Sequence, residues 1–227
     1  RLATAAAVLA SAAPATPPLA VQCLGGFAVL RDGVPVPVGE WKSRKARDLV
    51  KILIARGGRP VHRETLLELL WPDDPPAQTA SRLSVALSTA RAVLDPGKRH
   101  PGGWYLGADN DTLWIDGTHA DVDVDRFHEL ASRAVTERKP GPSPAAIDAL
   151  AAAEAAYVGD AFPEDPYEDW TVSLRERTRA TYIWVARTLA DDSVAAGDPA
   201  TAVRCYLRVL EHDPYDEHAS LGLVRAH

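Results

Sequence analysis

The sequence predicts an α+β chain whose first half mixes short strands with three helices and whose second half is all helix. Three observations carry this. Apolar residues recur at helical spacing over residues 43–57, 63–71 and 77–94. An aromatic hairpin follows, Gly102-Gly103-Trp104-Tyr105-Leu106 to Thr112-Leu113-Trp114-Ile115, with the turn formers Ala108-Asp109-Asn110-Asp111 at its tip. Past Gly117 strand signals stop and alanine-rich helical patterns take over. Three helices and a hairpin in that order make a winged helix-turn-helix, a fold that offers one helix to the major groove of DNA.

Residues 1–20 read as a linker or the remainder of an upstream segment. They are alanine-rich and end in Ala13-Pro14-Ala15-Thr16-Pro17-Pro18. Ala5-Ala6-Ala7-Val8-Leu9-Ala10 is short for a signal-peptide core and has one base ahead of it. The winged-helix half is expected over 21–117. Val21–Leu30 reads as a strand interrupted by Gly25-Gly26, and Arg31-Asp32-Gly33 as a turn. Val34, Val36 and Val38 alternate with Pro35, Pro37 and Gly39, so an edge strand is the most that segment supports.

The first helix should be capped by Ser43 and end at Gly57-Gly58, with Ala46, Leu49, Val50, Leu53 and Ile54 on one stripe. The second starts after Val61-His62 and turns Leu66, Leu67, Leu69, Leu70 and Trp71 to the core. A proline-rich loop, Pro72–Pro76, leads to the third helix, which stops at Asp95-Pro96-Gly97. Its buried seam is Leu83, Leu87, Ala90 and Leu94; its outward face carries Ser81, Arg82, Ser84, Val85, Ser88, Thr89, Arg91 and Ala92.

The second half, 118–227, reads as helices over 124–137, 144–157, 168–196, 199–212 and from 217 on. Leu189, Gly197-Asp198, Ala202, Tyr206, Pro214 and Leu223 fit the ~34-residue tetratricopeptide spacing, in which small residues pack beside large ones on paired helices. Alanine stands where the first large aromatic of that pattern belongs, and the pattern predicts a final repeat cut short.

The formal charge is -6, but it is unevenly spread. Residues 21–117 hold 13 Lys and Arg against 11 Asp and Glu, and 118–227 hold 11 against 20. Between Trp41 and Arg63 eight bases (Lys42, Arg44, Lys45, Arg47, Lys51, Arg56, Arg59, Arg63) face one acid, Asp48. That excess can meet phosphates or line a solvated helix face. Cys23 and Cys205 have no metal or redox spacing, which fits a reduced, cytoplasmic protein. No run approaches the ~20 apolar residues of a membrane span, and no membrane association is expected.

No phosphate loop, nucleophile elbow or zinc-protease motif is present, so no enzyme and no cofactor are expected. Asp121-Val122-Asp123-Val124-Asp125 has the alternation of a calcium loop but Arg126 and Ser132 where that loop needs Gly and Glu. An acid-enriched helix start fits better, with Asp125 as its cap. His212 and His218 have no thiol partners nearby, so no metal site is expected. Arg82 and Arg91, with Ser84, Ser88 and Thr89, are the candidate base contacts, since Arg can bond guanine O6 and N7 and hydroxyls can serve bases or phosphates. Lys42, Arg44, Lys45 and Arg63, with Lys98, Arg99 and His100 at the hairpin base, are the candidate phosphate contacts.

Taken together these segments resemble the bacterial transcriptional activator domain family, the antibiotic-pathway regulators of actinobacteria. They are Leu24–Val29, Lys45–Leu53, Val61–Pro76, the third helix with Leu83, Leu87, Ser88, Arg91 and Leu94, Pro101–Leu106, and Asp121–Phe127. Thr89 and Ala92 stand where the family's third helix carries arginines. The resemblance implies an OmpR-type winged helix joined to a tetratricopeptide-like activation domain. It further implies protomers side by side as a homodimer on promoter direct repeats, recruitment of RNA polymerase and a nucleoid location. Asp73, Asp74 and Gln78 of the loop before the third helix become the expected polymerase contact. The charge split leaves a second reading open, a protein-interaction module that keeps this scaffold with weak or no DNA binding.

Overall fold

The computed structural model describes residues 18–74, 76–138 and 142–226, with the side chains of 76–78 outside the described set. Its first half is built on two small sheets. Strands β1 (Leu19–Gln22), β2 (Ala28–Arg31) and β3 (Val34–Pro35) form an antiparallel meander. The segment read as one interrupted strand is thus two strands folded back on each other, Gln22 opposite Ala28. Gly25 and Gly26 make that reversal at φ +73° and +150°, backbone that a side chain resists. Leu19 and Ala20, expected in the linker, already belong to β1, and Pro18 precedes them as an exposed bend; residues 1–17 of that expectation lie outside the described set.

A 3-10 turn over Val38–Trp41 leads to α1 (Arg44–Ala55), where Ser43 Oγ accepts from the Ala46 N–H at 3.3 Å as expected of a cap. A strand absent from the sequence reading, β4 (Val61–His62), precedes α2 (Arg63–Leu70). Only Leu66 and Leu70 of α2 are fully buried; Leu67, Leu69 and Trp71 are half-buried. Helix α3 spans Pro76–Leu94, and its seam Leu83, Leu87, Ala90 and Leu94 is buried. The wing is β5 (Leu106–Ala108) and β6 (Thr112–Ile115), with β4 on the far side of β6. Trp114 lies so closely over Gly107 that a Cβ there would sit 2.1 Å from the indole.

The two halves share one sheet. Strand β7 (Asp121–Val122) pairs in parallel with β1, Ala20 to Asp121 and Val21 to Val122. Helix α4 (Asp123–Glu137) follows at once. Asp125 does not cap it: Val122 holds the cap position and makes no side-chain cap bond. The acid that is used is Asp123, whose carboxylate accepts the Cys23 and Leu24 N–H groups at 2.9 and 3.0 Å. Those amides would otherwise be orphaned where β1 ends inside the protein. Burial raises the Asp123 pKa, and these hydrogen bonds oppose the rise.

Helices α5 (Pro144–Ala156), α6 (Asp169–Ala196), α7 (Pro199–His212) and α8 (Glu217–Ala226) complete the chain. Ser143 and Asp198 cap α5 and α7 through their side chains, and each is followed by proline, which suits a first helical position. Gly197 ends α6 in the left-handed region at φ +81°. The tetratricopeptide-like packing is visible where Tyr206 meets Gly222: a Cβ on that glycine would lie 2.3 Å from the ring. Leu189, Ala202 and Tyr206 are all buried beside it. The architecture is a winged helix-turn-helix followed by an all-α, tetratricopeptide-like half.

Candidate nucleic-acid interface

Helix α3 is held by its seam against α1 and α2, which leaves Arg82, Ser84, Val85, Ser88 and Ala92 exposed on the other side. Val85, between Ser84 and Ser88 on that side, is 65% exposed. Ser84 Oγ bonds back to the Ala80 carbonyl at 3.3 Å, Ser88 is exposed and Thr89 is half-buried. Arg82 ion-pairs with Asp74, from the loop between α2 and α3, and both side chains stay substantially exposed. Exposed pairs of this kind contribute ~0–1 kcal/mol and exchange readily. Two expected contacts, one to bases and one to polymerase, thus occupy each other. Asp73 is exposed; Gln78 lies in the first turn of α3, its side chain outside the described set.

Arg91 departs from expectation. It is half-buried, and Nε and Nη2 both donate to the Leu106 carbonyl, at 3.1 and 2.7 Å. Arg91 thus ties the end of α3 to the wing through its Nε–Nη2 edge, one of the two edges by which an arginine can meet a guanine. Burial lowers its pKa, and the neighbouring charge of Arg63 lowers it further. Arg63, at the start of α2, donates Nη2 to the Asp109 carbonyl at the wing tip at 3.1 Å, while its Nε is buried without a partner.

A groove of 510 Å³ runs between α3 and the wing, and Arg63, Ser84, Ser88, Arg91, Lys98 and His100 all line it. The structure therefore brings together six of the expected contact residues. Asp95 is the one acid on the groove wall, and its carboxylate is engaged by the Arg99 and His100 backbone N–H groups at 3.0 and 2.9 Å. The His100 ring stacks on Trp104 with centroids 5.0 Å apart.

The remaining bases lie elsewhere. Lys42 and Arg44 border a separate hollow with Trp41 and Arg47. Arg44 and Lys45 also line a small cleft whose other wall holds Asp165 and Glu168. Arg44 pairs with Asp48 at 3.7 Å, and Arg99 turns to Asp32 at 3.1 Å. Lys51, counted above among bases able to meet phosphates, is not on the surface. Its side chain is fully buried, with Nζ 2.8 Å from Glu164 and 2.5 Å from Asp165, and the Phe27 ring centroid 4.9 Å away. A signal for this was present: Leu49-Val50-Lys51-Ile52-Leu53-Ile54-Ala55 is apolar around nearly the whole helix, the mark of an element covered on all sides.

Among the described residues no three His, Cys, Asp or Glu side chains gather as they would around a metal. No helix there is long and apolar enough to cross a membrane.

Comparison with known proteins places this geometry. The model of the bacterial transcriptional activator domain matches residues 122–227. Regulatory protein AfsR of Streptomyces coelicolor is 31% identical over an alignment of 121 residues that covers 49% of this chain and 12% of AfsR. EmbR of Mycobacterium tuberculosis, solved in complex with a low-affinity phosphopeptide, superposes with a TM-score of 0.77 at 20% identity, over 92% of this chain and 54% of EmbR. The chain thus spans part of each relative, and the likeness to EmbR is one of fold. With its winged helix set against a half that matches the bacterial transcriptional activator domain, the chain is similar to the regulators that carry that domain.

Proposed function

We propose that the protein is a sequence-specific, double-stranded-DNA-binding transcriptional activator, acting in the cytoplasm at the nucleoid. The observation that carries the reading is the α3–wing groove, where six polar or basic side chains converge and the one acid is already engaged. Arg82, Ser84, Ser88 and Thr89 are the side chains that would meet base edges, with Val85 suited to a thymine methyl. Arg63, Lys98 and His100 would hold the backbone beside them, Lys42 and Arg44 a more distant stretch. Asp73, Asp74 and Gln78 would face RNA polymerase. Protomers would bind direct repeats side by side as a homodimer, and the resemblance adds secondary-metabolite genes as the targets.

The test is selection from random duplexes at 50 and 200 mM salt with the full chain. An enriched motif whose affinity falls steeply with salt supports the reading. Retention of no duplex above background at low salt overturns it.

A further inference from the structure

Two guanidinium groups stand half-buried in one groove and neither is in an ion pair, although the Asp109 carboxylate feels the charge of Arg63. Among the described residues neither Arg63 nor Arg91 has an acidic group within ion-pair distance; each bonds a backbone carbonyl of the wing, Asp109 for Arg63 and Leu106 for Arg91. Those bonds leave donors over. Nη1 of Arg91 is one, and the buried, partnerless Nε of Arg63 is another. Two cations held close in a partly desolvated groove repel each other, and an anion between them removes that cost. Burial first, and then the charge of Arg63, lower the Arg91 pKa.

We propose that Arg63 and Arg91 jointly hold one backbone phosphodiester of DNA in the groove between α3 and the wing, so that Arg91 is not a base reader. The inference rests on the DNA-binding reading above and sharpens it. A base-reading arginine needs two parallel donors from one edge; the Nε–Nη2 edge of Arg91 is spent on Leu106, and its end-on edge shares Nη2 with that bond. A phosphodiester offers two unbridged oxygens and so suits single donors arriving from two side chains. Its sugar–phosphate strand would run along the groove past Ser88 and Lys98. Sequence readout is then left to the earlier part of the outward face, Arg82 to Ser88.

The experiment uses the full chain and the duplex it selects. Each phosphate in turn is replaced by an uncharged methylphosphonate, and affinity is measured for wild type, Arg63→Ala, Arg91→Ala and Arg91→Lys. One phosphate position should weaken the wild type, and that same position should be silent in both alanine variants. Each alanine variant should lose about 3.5-fold less affinity than wild type between 50 and 200 mM salt, the effect of one missing phosphate contact. The double variant should lose no more salt dependence than either single one, and the ranking of base substitutions in the site should be unchanged. Arg63→Ala keeps the Leu106 bonds and Arg91→Ala keeps the Asp109 bond, so a phosphate silenced in both reports the shared contact and not the loss of one tie to the wing. If Arg91→Ala relaxes base preference at one position, or the two variants silence different phosphates, the shared clamp is wrong while DNA binding stands. If wild type selects no duplex, the clamp falls together with the reading on which it rests.

Discussion

Replacing Lys51 tests the joint between the halves. Lys51→Met keeps the length of the side chain and removes its charge. Asp165, 8% exposed, then stays buried without a cation, while Glu164, 34% exposed, recovers water more easily. Breaking a buried pair by removing one partner costs about 3–5 kcal/mol, most of it from the stranded charge. For a chain of this size each kcal/mol is roughly 2–4 °C in the unfolding midpoint, so a fall on the order of 6–20 °C is expected. Thermal and urea denaturation followed by circular dichroism would measure it. The argument assigns the cost to the stranded carboxylate, so Lys51→Met with Asp165→Asn should recover most of the loss. Lys51→Met within about 1 kcal/mol of wild type, or a double variant no better than the single, refutes the reasoning.

The same triad gives the protein an acid limb. Burial pushes the Glu164 pKa up, but the hydrogen bond and charge of Lys51 outweigh it and hold the group below 4.5. Its contribution is therefore complete above 4.5 and disappears as pH falls through the lowered folded value; urea titrations between pH 6 and 3 should show this loss in wild type and less of it in Lys51→Met. Asp74→Asn frees Arg82 from its ion pair and removes a negative charge beside the proposed DNA site. Affinity for the selected duplex should rise by up to about fivefold, from a pair worth at most ~1 kcal/mol; an unchanged or weaker gel-shift would show that the pair does not compete with DNA. Arg82→Ala should cost roughly 1–3 kcal/mol on the selected site and much less on a scrambled one; equal losses on both would make it a phosphate contact. Gly107→Ala drives a Cβ into the Trp114 indole, and overpacking of that kind costs about 1–3 kcal/mol; an unshifted unfolding midpoint would mean that the wing absorbs the methyl freely.

The helices were legible because their signals are local. Ser43 and Ser143 stand at the caps their sequences announce, and the seam of α3 was visible in the spacing of Leu83, Leu87, Ala90 and Leu94. What escaped depends on contacts far along the chain. Nothing within Val61-His62 reveals that β6 will be its neighbour, and nothing near Asp121 reveals β1 a hundred residues earlier. The expected boundary at 117 was drawn from a change of composition, yet the sheet crosses it. Arg91 shows a further limit: helical periodicity placed it on the outward face correctly, but its fork is decided by a carbonyl on the wing, 15 residues away. Read without the acidic half that clamps it, Lys51 looks like surface charge.

Helix α1 is where the two halves become one mechanical unit. It packs on α3 and on α6, and its Lys51 is clamped by the loop that precedes α6. Around it, the Phe162 N–H donates to the Cys23 carbonyl at 2.8 Å, the Gly25 N–H to the Asp160 carbonyl at 2.9 Å, and Leu24 bridges Ala161. Bonds of this kind, backbone to backbone across an interface that also buries an ion triad, leave little freedom for one half to swing on the other. If α3 lies in a groove of DNA, the orientation of the helical half is then set by the same docking event. A partner that holds the helical half would act on DNA affinity by bringing protomers into register, because the joint is too short for it to act as a loose tether. Inserting a flexible glycine–serine pair after Gly117 leaves the β1–β7 pairing and the Lys51 triad to hold the halves, so affinity for a single half-site should be unchanged. In a Lys51→Met background the same insertion should weaken binding to paired half-sites more than to single ones. Equal weakening on both would mean that the fixed joint plays no part in assembly on DNA.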